Sequence, residues 1–314
     1  MDPFPYPFHR SLLDHTTTVT GATATTTTTT TASTYTVHAP KPVHPNTIPD
    51  VILGLIMISF ISTTAIWANH EASKGFSITI INEAGKHSLA GKRFSVFYES
   101  NDKATRTVIN TSRFIEHLLY PNQDFQPQKK QIHSVTLKLA AQTFPAIVSV
   151  ESQKAHEYMI ILSASLMESS YKNDAFVLAV LQGMARVWLW DGEGSTPAVV
   201  LNGLVEYIST LAGFRSTEIW NSSDGATMSP EKDEICWKVE DPRKVAGFLR
   251  FHDQRMQPGG GGGYGGGEVV RRLNDGMRDG WHDMMMDDAL GMEGQHACES
   301  YDILTRHHYR SSSI

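Results

Sequence analysis

Residues 179–214 contain two helical patterns joined by a turn, and they constrain the fold more than any other part of the chain. Apolar side chains recur at intervals of three and four residues, as they do on one face of a helix. In the first half these are Val180, Leu181, Met184, Val187 and Trp188, and in the second half Val200, Leu201, Leu204, Val205, Ile208 and Leu211. The pattern predicts a helical hairpin that packs both apolar faces into a core. Gly213 stands where the cap of the second helix belongs.

This hairpin resembles the plant basic secretory protein family, a group of zinc metallopeptidases. The shared residues align without a gap and are Val187, Trp188, Trp190, Asp191, Gly192, Glu193, Gly194, Pro197, Gly203, Tyr207, Ala212 and Gly213. The likeness extends over residues 76–302 and includes residues 269–277, Trp281, Asp283, residues 287–291 and Cys298. It implies an α+β, zincin-like domain in which a small mixed sheet packs against helices.

The same resemblance places the family's zinc motif on the first helix. A zinc peptidase needs two histidines at i and i+4 to hold the metal, and a glutamate after the first histidine as general base. Gln182 and Arg186 stand at the histidine positions, and Gly183 stands at the glutamate position. Asn202 stands where the resemblance implies a third ligand, and Glu206 replaces an aspartate one turn later.

These replacements predict that the metal chemistry is lost. Arginine is protonated and offers no lone pair, and glycine cannot activate water. We therefore expect no catalytic residue, no metal ligand and no cofactor, because the family's zinc would not be held. Two alternatives stay open: an ordinary helical hairpin without a catalytic history, and an active metallohydrolase with relocated ligands. A cluster of His282, Asp283, His296, Cys298, His307 and His308 fits no standard metal spacing.

The resemblance implies a pseudo-metallopeptidase in plant defence or cell-wall biology. Its former substrate cleft would bind an unknown protein or peptide ligand, or none. A buried guanidinium needs a partner, and the alignment makes Glu206 or another acid in the cleft the expected partner of Arg186. Gln182 and Asn202 should then complete a hydrogen-bonded cluster. The alternative is that Arg186 extends into an open cleft with its head group in water.

The charge balance excludes one class of partner. The chain of 314 residues carries 27 Lys and Arg against 33 Asp and Glu, a net charge of -6. This balance gives no electrostatic basis for binding nucleic acid, and none is expected as a partner. With 40% hydrophobic residues the chain can bury a sizeable core, and its length allows one or two domains.

The N-terminal part of the chain predicts a membrane anchor. Residues 1–49 are rich in Thr and Pro and are predicted to be disordered, since they bury too little apolar surface to offset the entropy of ordering. An uncharged run of eighteen residues follows, from Val51 to Ala68. As a helix it would be about 27 Å long, close to the hydrocarbon thickness of a bilayer. We predict a transmembrane signal anchor over residues 50–69.

Such an anchor makes this a single-pass membrane protein, and the family's secretory habit places the C-terminal domain in the lumen or outside the cell. The alternatives for the apolar run are a buried core helix and the core of a signal peptide. A Thr-rich, acid-poor N-terminus also resembles an organelle transit peptide, which would direct the chain to the plastid.

Periodicity gives a coarse map of the folded domain. Strands are predicted at residues 77–82, 94–99 and 131–139, and a hairpin at residues 146–150 and 158–163. Helices are predicted at residues 111–120, 234–252 and 269–277, with Thr111 or Ser112 capping the first and Asp241 with Pro242 starting a new helix in the second. Residues 258–267 are Gly-rich but lack the lysine of a phosphate-binding loop, so we expect a flexible insertion there. Residues 303–314 should form a flexible tail.

Two further features bear on the secretory pathway. Cys236 and Cys298 are the only cysteines, and they either pair in an oxidising lumen or stay as two separate buried thiols. Asn110 and Asn221 each begin a glycosylation sequon. Such tripeptides are common by chance, so they are only candidates for glycan attachment.

Overall fold

The computed structural model describes residues 48–72, 75–85, 87–121, 129–168, 173–214, 236–238, 241–256 and 266–311. For residues 48–51, 65–72, 168, 173 and 304–311 it describes the backbone alone. Several predictions therefore fall outside the described residues: the disordered segment up to residue 47, Asn221, and most of the Gly-rich insertion at 258–267. The chain divides into two units, and residues 15–75 form one of them.

The first unit contributes one described element, helix α1 (Ile48–Ala72). Every described side chain of α1, from residue 52 to residue 64, is exposed. The large apolar ones are Ile52, Leu53, Leu55, Ile56, Met57, Ile58, Phe60 and Ile61. Among the described residues, no helix combines the length and the apolar character needed to cross a bilayer.

The second unit contains the sheet and all other described helices. In chain order its elements are β1 (Ser77–Asn82), α2 (Leu89–Phe94) with a π-helical turn (Ser95–Glu99), α3 (Lys103–Leu119), β2 (Ser134–Leu139), β3 (Val148–Lys154), β4 (Glu157–Leu162), α4 (Ser165–Glu168), α5 (Asn173–Trp188), α6 (Ala198–Leu211), α7 (Pro242–Arg255), α8 (Glu268–Gly276) with a 3-10 turn (Met277–Asp279), α9 (Met284–Leu290) and α10 (Gly294–Ser311). This is the mixed α+β architecture that the sequence predicts.

The four strands form one sheet in the order β1-β2-β4-β3. Strands β1, β2 and β4 run parallel, and β3 pairs antiparallel with β4 at the edge. The predicted hairpin is thus confirmed, with β3 extending four residues beyond the predicted end and β4 shifted by one residue. The strand order alone does not establish a zincin-like fold, which therefore stays a prediction.

Helix α5 is the central element of the core. It contacts β3 and β4 of the sheet as well as helices α3 and α6. Its residues Val177, Val180, Leu181, Met184, Ala185 and Val187 are fully buried. Near its end the buried Trp188 keeps its indole N–H satisfied by donating to Ser112 Oγ at 2.9 Å. The other elements therefore pack around this one helix.

The strand predicted at residues 94–99 is wrong, because this segment is helical. Phe94 and Tyr98 are buried four residues apart, which is a helical and not an alternating spacing. Both rings pack on Phe176 of α5, and the Tyr98 ring stacks on it at a centroid distance of 3.7 Å. Packing against α5 overrides the local β propensity of these aromatic residues.

Two helix boundaries also differ from the predicted ones. Helix α3 begins at Lys103, so Thr111 lies inside it and donates its hydroxyl to Thr107 O at 2.8 Å instead of capping the helix. At the other end of the chain, α10 continues to Ser311, so most of the predicted flexible tail at 303–314 is helical. Residues 312–314 lie outside the description.

The caps predicted at the start of α7 and after the end of α6 are confirmed. Asp241 precedes α7 and its carboxylate accepts from the Arg243 backbone N–H at 2.9 Å, with Pro242 at the first helical position. Gly213 follows α6 with a φ of 90°, a conformation that glycine adopts without strain.

The two cysteines are joined. Cys236 and Cys298 form a disulfide with a Cα–Cα distance of 5.6 Å, which is within the usual range. The bond connects the segment before α7 to α10 across a sequence separation of 62 residues. Of the two possibilities that the sequence leaves open, the structure has the paired one.

The hairpin helix α6 approaches α7 so closely that only glycine fits at position 203. A Cβ at Gly203 would lie 2.5 Å from Val245 Cγ1 and 2.6 Å from its Cβ. The β-branched valine has no flexible end that can move aside. This contact gives a physical role to one of the residues on which the family resemblance depends.

We predict that Gly203→Ala lowers the free energy of unfolding by about 1–3 kcal/mol through overpacking. Adding Val245→Ala should make the double variant less unstable than the two single losses summed. Gly276→Ala is the matched control, because a Cβ there meets Met285 at 3.6 Å, an ordinary contact. Chemical denaturation measures the parent and the four variants, and a Gly203→Ala variant as stable as the parent would contradict the close approach.

Candidate functional site

The residues that the sequence assigns to a degenerate metal motif lie on two packed helices. Gln182, Gly183 and Arg186 are on α5, and Asn202 and Glu206 are on α6. The four polar side chains are half-buried, whereas Gly183 is buried. The turn between the helices brings them into contact, so the site lies at the boundary between core and surface.

Arg186 joins three elements at this boundary. Its Nη2 donates to Asn202 Oδ1 at 2.9 Å on α6, and its Nη1 donates to Val148 O at 3.3 Å on β3. Burial lowers the pKa of the guanidinium, yet arginine stays protonated at neutral pH. Two charge-assisted hydrogen bonds to neutral oxygens therefore compensate the desolvation of this cation.

The predicted ion pair of Arg186 with Glu206 is wrong. Arg186 contacts no carboxylate of the described residues. The charges that act on Glu206 are instead those of Asp241 and Arg243, at the start of α7. Burial raises the pKa of Glu206, Arg243 lowers it, and Asp241 raises it. The crossing of the two helices places Asn202 opposite Arg186, one turn before Glu206.

The predicted cluster is formed only in part. Asn202 accepts from Arg186, as expected. Within the described part of the chain, however, the side chain of Gln182 makes no hydrogen bond, so the prediction that it completes the cluster is wrong. The alternative, in which Arg186 extends into an open cleft with its head group in water, is also wrong. Both terminal nitrogens of Arg186 donate hydrogen bonds to protein oxygens.

Gly183 marks the closest approach of α5 to the sheet. A Cβ at this position would lie 2.6 Å from Ile160 Cγ2 and 3.2 Å from its Cδ1. Ile160 is on β4 and is 0% exposed, so it has no free space to enter. A larger residue at position 183 therefore requires a smaller one at position 160.

The edge strand β3 borders the site. Because Ser163 N donates to Ile147 O at 3.0 Å and pairing alternates along an antiparallel ladder, Ser149 and Glu151 bond toward β4. The backbone groups of Val148 and Val150 consequently point away from the sheet. The carbonyl of Val148 accepts from Arg186, whereas the N–H and C=O of Val150 have no hydrogen-bond partner among the described residues.

The chemistry of the donor set does not fit zinc. Zinc sites in proteins use several imidazole, thiolate or carboxylate ligands, whereas this site presents two amides, a guanidinium and the single carboxylate of Glu206. Asn202 Oδ1 is already an acceptor for Arg186, whose positive charge opposes a metal cation. In the part of the chain that the structure describes, no group of three or more His, Cys, Asp or Glu is arranged to hold a metal.

The other cluster considered from the sequence is also divided. Cys298 is used by the disulfide, and His282 and His296 are exposed on separate segments, before α9 and within α10. Asp283 pairs with Lys238 at 2.6 Å. The side chains of His307 and His308 lie outside the description.

Sequence reasoning missed a buried lysine at the end of α5. Lys130 is 8% exposed, and its Nζ donates to Leu189 O at 2.6 Å, just beyond the helix. The ammonium lies 5.2 Å from the Tyr158 ring centroid and 5.3 Å from that of Trp190. Burial lowers the pKa of Lys130 to about 8, and Asp191 opposes this shift. A cation at a helix C-terminus is favourable, so Lys130 stabilises the start of the 191–197 turn. Nothing in the local sequence distinguishes it.

A second missed residue fixes the other hairpin helix. Asp253 on α7 is buried and accepts from Gly267 N at 2.5 Å and Val269 N at 3.0 Å, which caps the start of α8. Tyr207 on α6 donates its hydroxyl to the same carboxylate at 2.7 Å. Burial, followed by the charge of Asp253, raises the pKa of Tyr207, so the phenol stays protonated. This network connects α6, α7 and α8 behind the site.

The glycosylation candidates have different positions. Asn110 lies half-buried inside helix α3, and the following Thr111 and Ser112 are buried. Asn221 lies outside the described residues. Because an acceptor sequon must be accessible, the position of Asn110 inside a helix disfavours glycan attachment there.

We predict that Arg186 and Asn202 are energetically coupled. In a double-mutant cycle, Arg186→Met and Asn202→Ala should show an interaction energy of roughly 0.5–3 kcal/mol in the free energy of unfolding. Glu206→Gln is the control: paired with Arg186→Met it should give additive losses, since the two side chains are not in contact. Additivity for Arg186 with Asn202 would contradict the hydrogen bond.

Comparison with known proteins now bears on this site. No curated protein and no solved structure matches the chain. A sequence model of the family described as BSP, peptidase of plants and bacteria, matches residues 73–301. The match includes both site helices and the sheet, and it covers well over half of the chain. The chain therefore belongs to the BSP family of peptidases of plants and bacteria.

Proposed function

We propose that this protein is a non-catalytic member of its family, a pseudo-metallopeptidase in which the position of the metal is filled by Arg186. The observation that carries the proposal is the pair of hydrogen bonds from Arg186 to Asn202 Oδ1 and Val148 O. They place a permanent positive charge between the two helices and the edge strand. A second cation at this place would be repelled.

The general-base position supports the same conclusion independently. Gly183 has no side chain, and the packing of Ile160 leaves no room for one. The loss of the base is therefore built into the contact between α5 and β4. The single substitution Gly183→Glu would therefore clash with Ile160, whatever its effect on the chemistry of the site.

The free edge of β3 supports a binding role for the former cleft. An extended peptide can add to a sheet edge through main-chain hydrogen bonds, with side-chain pockets giving specificity. Val150 offers its N–H and C=O for such an addition, whereas the carbonyl of Val148 is already bonded to Arg186. We propose a protein or peptide ligand at this edge. A role in plant defence or cell-wall biology extends the proposal by family resemblance alone.

We also propose that α1 anchors the protein in a membrane, with the domain from β1 onward in the lumen or outside the cell. The support is the uncharged run from Val51 to Ala68 and the exposure of every described side chain of α1. A helix that is apolar on all sides has no polar face to present to water. The disulfide between Cys236 and Cys298 agrees with an oxidising compartment.

For the anchor we predict that the full chain stays in the membrane pellet after carbonate extraction. A variant with Leu55→Lys and Ile58→Lys is the control, and it should move to the supernatant because two charges in the run cost several kcal/mol in the bilayer, at about 3 kcal/mol each. Release of the parent protein into the supernatant would refute the anchor.

For the pseudo-enzyme we predict that the purified protein, with or without added zinc, cleaves neither casein nor peptide libraries. Restoring the motif should take Gln182→His, Gly183→Glu, Arg186→His and Asn202→Glu together with Ile160→Ala, which removes the steric conflict at position 183. The four-residue set without Ile160→Ala is the matched control and should be less stable. Proteolysis by the parent that a chelator abolishes would overturn the proposal.

A further inference from the structure

His133 and His156 lie side by side at one end of the sheet. Their ring centroids are 5.0 Å apart, with an angle of 58° between the ring planes, and both residues are exposed. His133 immediately precedes β2 and His156 immediately precedes β4. The backbone holds them in register, because His133 N donates to His156 O at 2.8 Å.

One ring is held in the orientation of a metal ligand. His156 Nδ1 lies 3.0 Å from the backbone carbonyl of Gln131. A carbonyl only accepts, so Nδ1 carries the proton in this hydrogen bond and the neutral ring keeps the lone pair of Nε2 free. Metal-binding histidines commonly donate their other ring N–H to a backbone carbonyl in this way.

The second ring is available and correctly spaced. Neither ring nitrogen of His133 has a hydrogen-bond partner within the described part of the chain. With metal–nitrogen bonds of about 2.0 Å and a ring radius of about 1.2 Å, two imidazoles on one tetrahedral ion would have centroids roughly 5 Å apart. The observed separation of 5.0 Å equals this value.

The backbone at His156 adds a further observation. His156 has a φ of 66° in the two-residue turn between β3 and β4, a left-handed conformation that glycine or asparagine adopts more readily. This turn is at the opposite end of β3 from Val148, about 20 Å away along a seven-residue strand. The histidine pair is therefore separate from the Arg186 site.

We propose that His133 and His156 form a two-imidazole site for a divalent transition-metal ion of the Zn²⁺ and Cu²⁺ kind. Imidazole nitrogen suits these ions, whereas it is a poor ligand for Mg²⁺ or Ca²⁺. No third His, Cys, Asp or Glu of the described residues completes a group around a metal, so water fills the remaining positions. Such a site binds reversibly and leaves coordination positions open to an incoming ligand.

The test uses the full chain in detergent and the complex of Cu²⁺ with iminodiacetate as the probe. This chelator leaves positions that two neighbouring imidazoles fill together, so a pair binds the probe more tightly than a single histidine does. All proteins carry His307→Gln and His308→Gln, because two adjacent histidines in α10 would compete. Electron spin-echo modulation counts the imidazoles on the copper.

The expected result is one bound copper with two imidazoles in the parent. His133→Gln and His156→Asn should each leave one imidazole and weaken binding by roughly tenfold or more. Asparagine tolerates the left-handed turn, so the second variant keeps the fold, which circular dichroism checks. His117→Gln, on the exposed side of α3, is the control and should bind like the parent.

A parent with one imidazole on the copper, or with an affinity that neither substitution changes, would overturn the proposal. Neither outcome depends on the Arg186 site, since a failure of the histidine pair leaves the proteolysis results of that site as they are.

Discussion

The rest of the structure depends on the burial of α5 between the sheet and its neighbouring helices. The helix presents buried apolar residues on nearly all sides, and Gly183 lets it approach Ile160 within a distance that no side chain would permit. This approach sets the position of Arg186, one turn later, against the edge strand. The same approach removes the space that a general base would need, so the packing of the core bears directly on the proposed loss of catalysis.

Arg186 satisfies polar groups on the neighbouring helix and on the edge strand. Groups at the boundary of a core still need partners, because an unsatisfied buried polar atom costs about 1–3 kcal/mol. The guanidinium satisfies Asn202 and the carbonyl of Val148 at once and thereby ties α5, α6 and β3 together. Behind this site Asp253 and Tyr207 connect α6 to α7 and α8 by hydrogen bonds. Lys130 donates a hydrogen bond to the carbonyl of Leu189, just after the end of α5. The former cleft is thus supported by hydrogen bonds within the protein.

Sequence periodicity predicted the elements whose partners are near in the chain. The hairpin of α5 and α6, the β3–β4 pair and the Asp241 cap follow from local patterns. Periodicity failed where the deciding partner is remote. Arg186 bonds to Val148, 38 residues earlier, and not to the acid one helical turn from Asn202. The aromatic segment at 94–99 is helical because Phe176 lies against it, and His133 and His156 meet only through the order of the sheet. None of these contacts leaves a local signature.

The central claim is that protein groups have replaced the metal of this family. A zinc-edge anomalous difference map from crystals grown with excess Zn²⁺ tests it most directly. The account predicts no peak within bonding distance of residues 182, 186 and 202, and density for the Arg186 guanidinium between Asn202 and Val148. A zinc peak at these residues, with the arginine displaced, would contradict it.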